Sequence, residues 1–239
     1  MARMIDPRRT LITLLMVVGC ALAGFAGGWV AAETNMRGDA VREYLLANPE
    51  TIPEAIAVLQ EREQSGRLAP IRASVEAPYP GAVLGNPDGG TVLVEFSDYA
   101  CGYCRASIPD VEAAIAANPD LKVVIREFPI LSEASRAAAQ MALAAADQGR
   151  FAAFHRAMFA AGRPDDATIA AAATRAGIDL EAARAAIAAG RYDAEIDKNA
   201  QLADRIGISG TPAFLVGDQV LAGAAGEDAL LKAIDAASS

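Results

Sequence analysis

The sequence has little cysteine, histidine and basic charge, and each shortage excludes a class of function. Its 239 residues include three cysteines and one histidine. A structural zinc site needs four such ligands, and the chain has no second cysteine pair to complete one. The net charge of -9 and the pI near 4.7 argue against nucleic acid or anionic lipid as a partner, because both require a basic face. No metal and no cofactor is therefore expected.

Aromatic residues are also scarce, at 5% of the chain, whereas apolar residues reach 53% because alanine is abundant. This composition indicates alanine-rich helices in place of a dense aromatic core. The chain is long enough for one ordinary core plus an appendage, and no internal repeat is evident.

The N-terminus carries arginines followed by a long uncharged stretch, Thr10 to Ala32, of 23 residues. This length matches a bilayer-spanning helix better than a cleaved signal core, so residues 1–32 are interpreted as a membrane anchor with its N-terminus in the cytoplasm. Cleavage after Ala31 and Ala32, lipid attachment at Cys20 and a twin-arginine signal remain open. All of these interpretations place the rest of the chain outside the cytoplasmic membrane, where a dithiol can cycle.

Residues 33–69 carry two short helical patterns separated by the breaker Asn48-Pro49. The apolar stripe of this arm, which includes Ile52, Ile56 and Leu59, is too small to be buried within the arm itself. We therefore expect it to lie on the main domain or on copies of itself, and the second option makes a homo-oligomer. Residues 70–90, rich in proline and glycine, are predicted to be a linker and an entry loop.

The remaining pattern predicts an α/β domain interrupted by helices. Short β-branched runs at 92–96 and 121–125 flank a helix, which makes a βαβ unit with parallel strands. Residues 132–205 are predicted to be an insert of four or five helices. Strands at 213–216 and 219–221 and a final helix complete the domain, which thus comprises 91–131 and 206–239.

The strand at 92–96 is followed by Cys101-Gly102-Tyr103-Cys104 at the predicted start of a helix. A CxxC at this position places two sulfurs within bonding reach, and the helix N-terminus favours a thiolate at the first of them. The motif therefore indicates redox chemistry, with Cys101 as the exposed attacking sulfur and Cys104 as the shielded resolving one.

The segment Glu95 to Cys104, together with Gly210-Thr211-Pro212-Ala213-Phe214, resembles the DsbA-type branch of the thioredoxin superfamily. The resemblance implies a thioredoxin fold split by a helical insert, with a cis Thr211-Pro212 bond facing the cysteines and holding an extended substrate chain. Gly102 and Tyr103 would tune the reduction potential, and this pair is more similar to isomerase and reductase members than to the strongly oxidising ones.

Two further residues are candidates for a role. In the DsbA-like pattern a buried acid at the position of Glu95 moves protons for the resolving cysteine; a solvent-facing acid is the alternative, and Lys122 or Arg126 could balance its charge. His155 lies in an aromatic-rich helix, so it is predicted to pack or cap at the surface of the insert, not to bind metal.

Residues 38–64 are similar to the N-terminal segment of the suppressor-of-copper-sensitivity ScsC proteins, in which this segment brings protomers together. The combined interpretation is a periplasm-facing thiol:disulfide oxidoreductase that acts on exported cysteine-containing proteins and meets a membrane redox partner, with isomerase or reductase use favoured. A DsbA-like oxidase, a protein that sequesters Cu(I) through the two thiolates, and a module whose disulfide merely staples the fold are the alternatives.

Overall fold

The computed structural model describes residues 15–22, 24 and 40–238. These residues fall into two compact units, 1–59 and 60–239. The predicted anchor lies largely outside the described residues; 15–22 is helical, and no helix within the described part of the chain is both long and apolar enough to cross a bilayer.

The first unit contains a helix over 40–47 and the beginning of α1 (Thr51–Leu68), so the two predicted helical patterns of the arm are present. The chain leaves the helix at Asn48, next to Pro49, as the sequence predicts. Apolar side chains of this unit are exposed, among them Val41, Tyr44 and Ile56.

The second unit is built on a five-stranded sheet in the order β1-β3-β2-β4-β5. The strands are β1 (Val83–Gly85), β2 (Thr91–Ser97), β3 (Leu121–Glu127), β4 (Ala213–Val216) and β5 (Gln219–Ala222). Strands β2 and β3 pair in parallel and are joined by α3 (Gly102–Ala117), so the predicted βαβ unit is confirmed. The other strand pairs are antiparallel.

Five helices are inserted between β3 and β4, and a last helix follows β5. They are α4 (Glu133–Asp147), α5 (Phe151–Ala161), α6 (Asp166–Ala176), α7 (Leu180–Ala188), α8 (Asp193–Ile206) and the terminal α9 (Glu227–Ala237). Their ends follow local chemistry: Asp165 and Thr168 form a capping box at the start of α6, and Gly177 ends it in the left-handed conformation. The helical insert predicted from the sequence is therefore present.

Alternating side chains of the central strands serve two separate cores. Leu93 and Ile125 face the larger core, which α3, α9 and the inserted helices cover. Val94 and Phe96 face the smaller core, which is closed by the end of α1, by the short helix α2 (Arg72–Glu76) and by α8. Because alternate residues of a strand point to opposite faces, Glu95 lies on the side of the larger core.

The prediction that 70–90 is only linker and loop is wrong, because it contains α2 and β1. The buried side chain of Arg126 donates hydrogen bonds to the carbonyl oxygens of Ser74, Val75 and Ala77 and so holds the end of α2 beside β3. Val75 is fully buried in the smaller core. β1 has three residues and α2 has five, so neither is long enough to show a periodic hydrophobic pattern in the sequence. Long-range contacts stabilise α2.

Candidate active site

The two cysteines of the CxxC motif lie at the N-terminus of α3. Cys101 is the N-cap, and its Sγ accepts a hydrogen bond from the backbone N–H of Cys104 at 3.3 Å. Both are free thiols. Cys104 is fully buried, as predicted, but the prediction of an exposed Cys101 is wrong: this residue is only 5% exposed. The reason is a neighbouring turn that the sequence places more than a hundred residues away.

That turn is formed by Thr211 and Pro212, whose peptide bond is cis. The Cys101 thiol donates a hydrogen bond to the carbonyl oxygen of Thr211 at 3.2 Å. The turn reaches the cysteines because β4 starts at the next residue, Ala213, which pairs with Phe96 on β2. A cavity of about 380 Å³ adjoins the turn and is lined by 206–213 with Val220 and Ala222.

The two residues between the cysteines are exposed, although the cysteines themselves are buried. A side chain at Gly102 would meet no atom within 4 Å, and Tyr103 is 70% exposed. Within the part of the chain that the structure describes, no cationic side chain hydrogen-bonds to the Cys101 sulfur, whose partners are the Cys104 N–H and the Thr211 carbonyl. Backbone groups alone thus form hydrogen bonds with the attacking sulfur.

Glu95 is buried, so the alternative of a solvent-facing acid is wrong. Neither of its carboxylate oxygens has a hydrogen-bond partner among the described residues. The suggested balancing cation Arg126 instead pairs with Glu195 at 2.9 Å. Without such a partner, burial raises the pKa of Glu95 to about 7.

Burial also raises the pKa of the Cys104 thiol, and the nearby charge of Glu95 raises it further. A thiol must lose its proton before it can attack a disulfide. Glu95, with a pKa of about 7, is a buried acid whose charge affects the Cys104 thiol.

Sequence reasoning missed a buried polar cluster beside the site. Tyr99 donates a hydrogen bond to Glu127 at 3.2 Å and also lies 3.2 Å from Nδ1 of His155. All three side chains are buried. The prediction that His155 packs within an aromatic helix is confirmed, but it lies in the core and not at the surface of the insert. Glu127, an acid at the end of a strand whose last residues lie in a buried core, was the available signal.

Asp98 was also missed, and it joins two loops at the edge of the site. Its Oδ1 accepts a hydrogen bond from the N–H of Ala100, and its Oδ2 accepts from Ile130 and Leu131. The side chains of Ile130 and Leu131 are 44% and 54% exposed. Asp98 thus fixes two exposed apolar residues relative to the cysteine loop. Within the described ranges, no cluster of three or more metal-binding side chains occurs.

A βαβ unit with CxxC at its helix start, opposite a cis-proline turn, defines a thiol:disulfide oxidoreductase of the thioredoxin fold. The comparisons agree with this class. The chain belongs to the family of the DSBA-like thioredoxin domain, whose family model matches residues 92–235. A second model, the copper resistance protein ScsC N-terminal domain, matches residues 38–65.

Three solved structures are similar over most of their own length. A thioredoxin-like oxidoreductase from Silicibacter pomeroyi is 38% identical, with a TM-score of 0.63 and coverage of 65% of this chain and 91% of its own. A linker-deletion mutant of Proteus mirabilis ScsC is 27% identical, with a TM-score of 0.65 and coverage of 86% and 94%. The thiol-disulfide exchange protein alpha-DsbA2 from Wolbachia pipientis is 26% identical, with a TM-score of 0.67 and coverage of 74% and 97%.

Curated relatives include the Na(+)/H(+) antiporter NhaA 1 of Salinispora arenicola, which is 30% identical over 65% of this chain. The chain spans about a quarter of the length of that relative, since the match covers 24% of it. Ion transport is thus the named activity of a much longer protein. The family match assigns the present chain to the DSBA-like thioredoxin domain family, and one of its structural neighbours, alpha-DsbA2, is a thiol-disulfide exchange protein.

Proposed function

We propose that this protein exchanges disulfides with exported cysteine-containing proteins on the periplasmic side of the cytoplasmic membrane, and that it acts as an isomerase or reductase. The observation that carries the proposal is the 3.2 Å contact between Cys101 Sγ and the Thr211 carbonyl oxygen. It puts the attacking sulfur against a turn that can hold an extended substrate chain by backbone hydrogen bonds. A structure from Salmonella enterica described as a periplasmic thioredoxin-like protein is 28% identical to this chain.

The exchange proceeds in two balanced steps. The Cys101 thiolate attacks one sulfur of a substrate disulfide, forms a mixed disulfide and releases the other substrate sulfur as a thiolate. Cys104 then loses its proton and attacks the Cys101 sulfur, which releases the second substrate thiolate. The enzyme pair is oxidised by two electrons and the substrate is reduced by two. Oxidase use runs the same steps in reverse.

The surroundings of Cys101 favour the isomerase or reductase direction. Strong oxidants of this kind owe their potential to a reduced form stabilised by positive charge near the thiolate. In the described structure the hydrogen-bond partners of the Cys101 sulfur are backbone groups, and the neighbouring Tyr103 is uncharged and exposed. Less stabilisation of the reduced pair lowers the reduction potential, so the dithiol donates electrons to substrate disulfides more readily than the dithiol of a strong oxidase does.

The reduction potential of the Cys101-Cys104 pair tests this direction. Equilibration with glutathione should give a value more reducing than the roughly -120 mV of a strong oxidase, in the range of about -180 mV typical of an isomerase. The protein should also recover activity from scrambled ribonuclease. A potential near that of the strong oxidase, with no recovery of scrambled ribonuclease, would instead establish the alternative of a DsbA-like oxidase.

We propose that Glu95 accepts the proton of Cys104 during release of substrate. Glu95→Gln should slow release from the mixed disulfide by about 100-fold at pH 7, the lower end of the range for general base catalysis. Glu112→Gln, which changes an exposed acid on α3, is the matched control and should keep the wild-type rate. Equal rates for Glu95→Gln and wild type from pH 5 to 8 would exclude this role.

Sequestration of Cu(I) is a second candidate, which the match of residues 38–65 to a copper resistance family supports. The two thiols of Cys101 and Cys104 are soft ligands of the kind that Cu(I) prefers. Competition with a copper chelator tests this function. Binding that is abolished by Cys101→Ser and is tighter than that of the chelator would support sequestration, whereas no competition would exclude it.

We further propose that the arm assembles copies of the chain. The side chains of Ile52, Ile56 and Leu59 lie four and three residues apart on one helix and are 49%, 49% and 56% exposed. The match to the ScsC N-terminal domain favours copies of the same segment as the partners that cover these side chains. Ile56→Lys should lower the mass in solution toward that of a monomer, whereas the neighbouring Ala57→Lys should leave it unchanged.

We also propose that residues 1–32 anchor the protein in the membrane. A membrane redox partner would then restore the oxidation state of the cysteine pair after each exchange. The uncharged length of Thr10 to Ala32 supports this location. Fractionation of cells after an alkaline wash should leave the full chain with the membrane. Recovery of the protein in the soluble periplasmic fraction would instead favour cleavage of the segment.

A further inference from the structure

The last turn of α1 packs against the segment that carries the cis-proline turn. Leu68 is 1% exposed and belongs to the smaller core together with Ile206 and Ile208. A Cβ atom at Gly207 would lie 3.1 Å from Nη1 of Arg67, so this guanidinium lies directly over the glycine. All of these residues belong to the second compact unit. The end of α1 therefore has a defined position beside the cis-proline segment.

Gln64 lies one turn before Leu68, on the same face of α1. It lines the cavity of about 380 Å³ that adjoins Thr211 and Pro212. Its side chain is half-buried, and the amide has no hydrogen-bond partner within the part of the chain that the structure describes. A glutamine amide has two donor hydrogens and an acceptor oxygen. Gln64 thus adds to the wall of the cavity a polar side chain whose hydrogen-bonding capacity is unused.

The wall of this cavity carries no charge among the described residues. Besides Gln64 it consists of 206–213, Val220, Ala222 and Gly223, all of them uncharged. The neighbouring Arg67 is 57% exposed and pairs with Glu63 at 3.9 Å. An apolar cavity of roughly 150 Å³ is enough to hold a benzene molecule, so the present one has room for an amino-acid side chain. A charged side chain would lose hydration there without an ionic partner, so the cavity fits an uncharged one.

We propose that Gln64 is a substrate-binding residue, whose amide hydrogen-bonds to the substrate chain while an uncharged residue next to the substrate cysteine occupies the cavity. The proposal rests on the proposed binding of an extended substrate at Thr211. The Cys101 sulfur, which forms the mixed disulfide, lies 3.2 Å from the Thr211 carbonyl oxygen. An extended chain advances about 3.3 Å per residue, so the neighbours of the substrate cysteine reach the cavity that Thr211 lines.

The two parts of this site have different effects on substrate choice. The amide of Gln64 carries the same donor and acceptor groups as a backbone peptide group, so it can bond to the main chain of any substrate sequence. The cavity, in contrast, selects by side chain and disfavours charge. Hydrogen bonds to the main chain supply affinity and a pocket for a side chain supplies specificity, as in other cases of strand addition. The preferred substrates are therefore exported segments with uncharged residues beside the cysteine.

Charge at position 64 tests the inference. The substrates are disulfide-linked dimers of a short peptide with one cysteine, flanked on both sides by Val, Asp or Lys, and the reduced protein is mixed with each. The ratio of the rate constant for the Asp peptide to that for the Lys peptide should be at least about 10-fold higher in Gln64→Lys than in Gln64→Glu, because opposite charges attract in the half-buried site. Gln64→Ala should slow reduction of the Val peptide by about 3- to 10-fold, the effect of one lost hydrogen bond.

The same changes at Gln201 are the matched control. Gln201 is exposed on α8 and does not line the cavity. Gln201→Lys and Gln201→Glu should give ratios that differ by less than about 2-fold, because exposed charges are screened at physiological ionic strength. This pair also corrects for the long-range effect of the net charge of -9 on charged peptides.

Two results would overturn the inference. The first is a ratio that differs by less than about 2-fold between Gln64→Lys and Gln64→Glu, as expected for an exposed residue outside the site. The second is a wild-type rate for Gln64→Ala with the Val peptide. A purely structural defect in a Gln64 variant would lower the rates for all three peptides equally and would leave the ratio unchanged.

The experiment also separates this inference from the proposed direction of exchange. If the reduction potential is that of an oxidase, the same ratio is measured for oxidation of the reduced peptides by the disulfide form. The proposed direction would then be wrong, whereas a charge-dependent ratio would still support the role of Gln64. A protein that reacts with none of the peptides in either redox form would overturn the exchange function and this inference together.

Discussion

The carboxylate of Asp98 accepts a hydrogen bond from the backbone N–H of Ile130 at 2.9 Å. The same oxygen accepts from Leu131, and the other oxygen accepts from Ala100, so one buried side chain joins the cysteine loop to the loop after β3. Three hydrogen bonds to one charged group are a strong local constraint. The edge of the active site therefore depends on an acid outside the CxxC motif.

Asp98→Ala should destabilise the protein by at least about 3 kcal/mol, because it leaves three backbone N–H groups without their charged acceptor and a hydrogen bond to a charged group is worth about 1.5 to 3 kcal/mol. Urea unfolding measures the loss. Asp88→Ala, which removes an exposed carboxylate, is the control and should change stability by less than about 0.5 kcal/mol. Equal stability of the two variants would contradict the assigned constraint.

Replacement of single cysteines should separate the two sulfurs by role. Cys104→Ala should accumulate a mixed disulfide with a substrate peptide, because no second sulfur remains to release it, whereas Cys101→Ala should form none. Mass spectrometry under non-reducing conditions detects the adduct. Cys20→Ser serves as the control, since Cys20 is exposed and belongs to the other compact unit. An adduct at Cys104 in the Cys101→Ala variant would reverse the assignment.

Glu95→Gln should stabilise the folded protein at pH 8 but not at pH 4. The folded-state pKa of Glu95 is about 7 against a usual 4.5, so the acid is protonated in both states below pH 4.5. As the pH rises from about 4.5 to about 7, Glu95 ionises in the unfolded state but stays protonated in the folded state, so the folded protein loses stability. Glu95→Gln should therefore raise the free energy of unfolding at pH 8 by up to about 3 kcal/mol. Urea unfolding at pH 4 and pH 8 measures this difference. A gain of the same size at pH 4 would show a different cause.

Arg126→Met should destabilise the protein and release α2. The buried guanidinium pairs with Glu195 and donates to three carbonyl oxygens at the end of α2, so its removal should cost about 3 kcal/mol. Amide hydrogen exchange should accelerate at 72–77. The control Arg136→Met removes half-exposed ion pairs and should cost less than about 1 kcal/mol. Unchanged exchange at 72–77 would mean that other contacts hold α2.

The sequence alone was sufficient where the signal is local. The run of apolar residues before Cys101, the spacing to Cys104 and the apolar run at 121–125 predict a βαβ unit with a redox pair at its helix start. Glycines and caps likewise mark the inserted helices. These features depend on residues within one or two turns of each other, so they remain visible in a linear pattern.

Only the tertiary structure decided what surrounds the cysteines. The Thr211 carbonyl oxygen covers Cys101 although the two residues are 110 positions apart in the sequence. Tyr99 contacts Glu127 and His155, which are 28 and 56 positions away. The alternation of side chains along β2 does not show which face of the strand is buried. The sequence therefore could not predict whether Glu95 faces the core or the solvent. Burial and hydrogen-bond partners depend on which strands and helices pack together, and this packing sets the pKa of an acid such as Glu95.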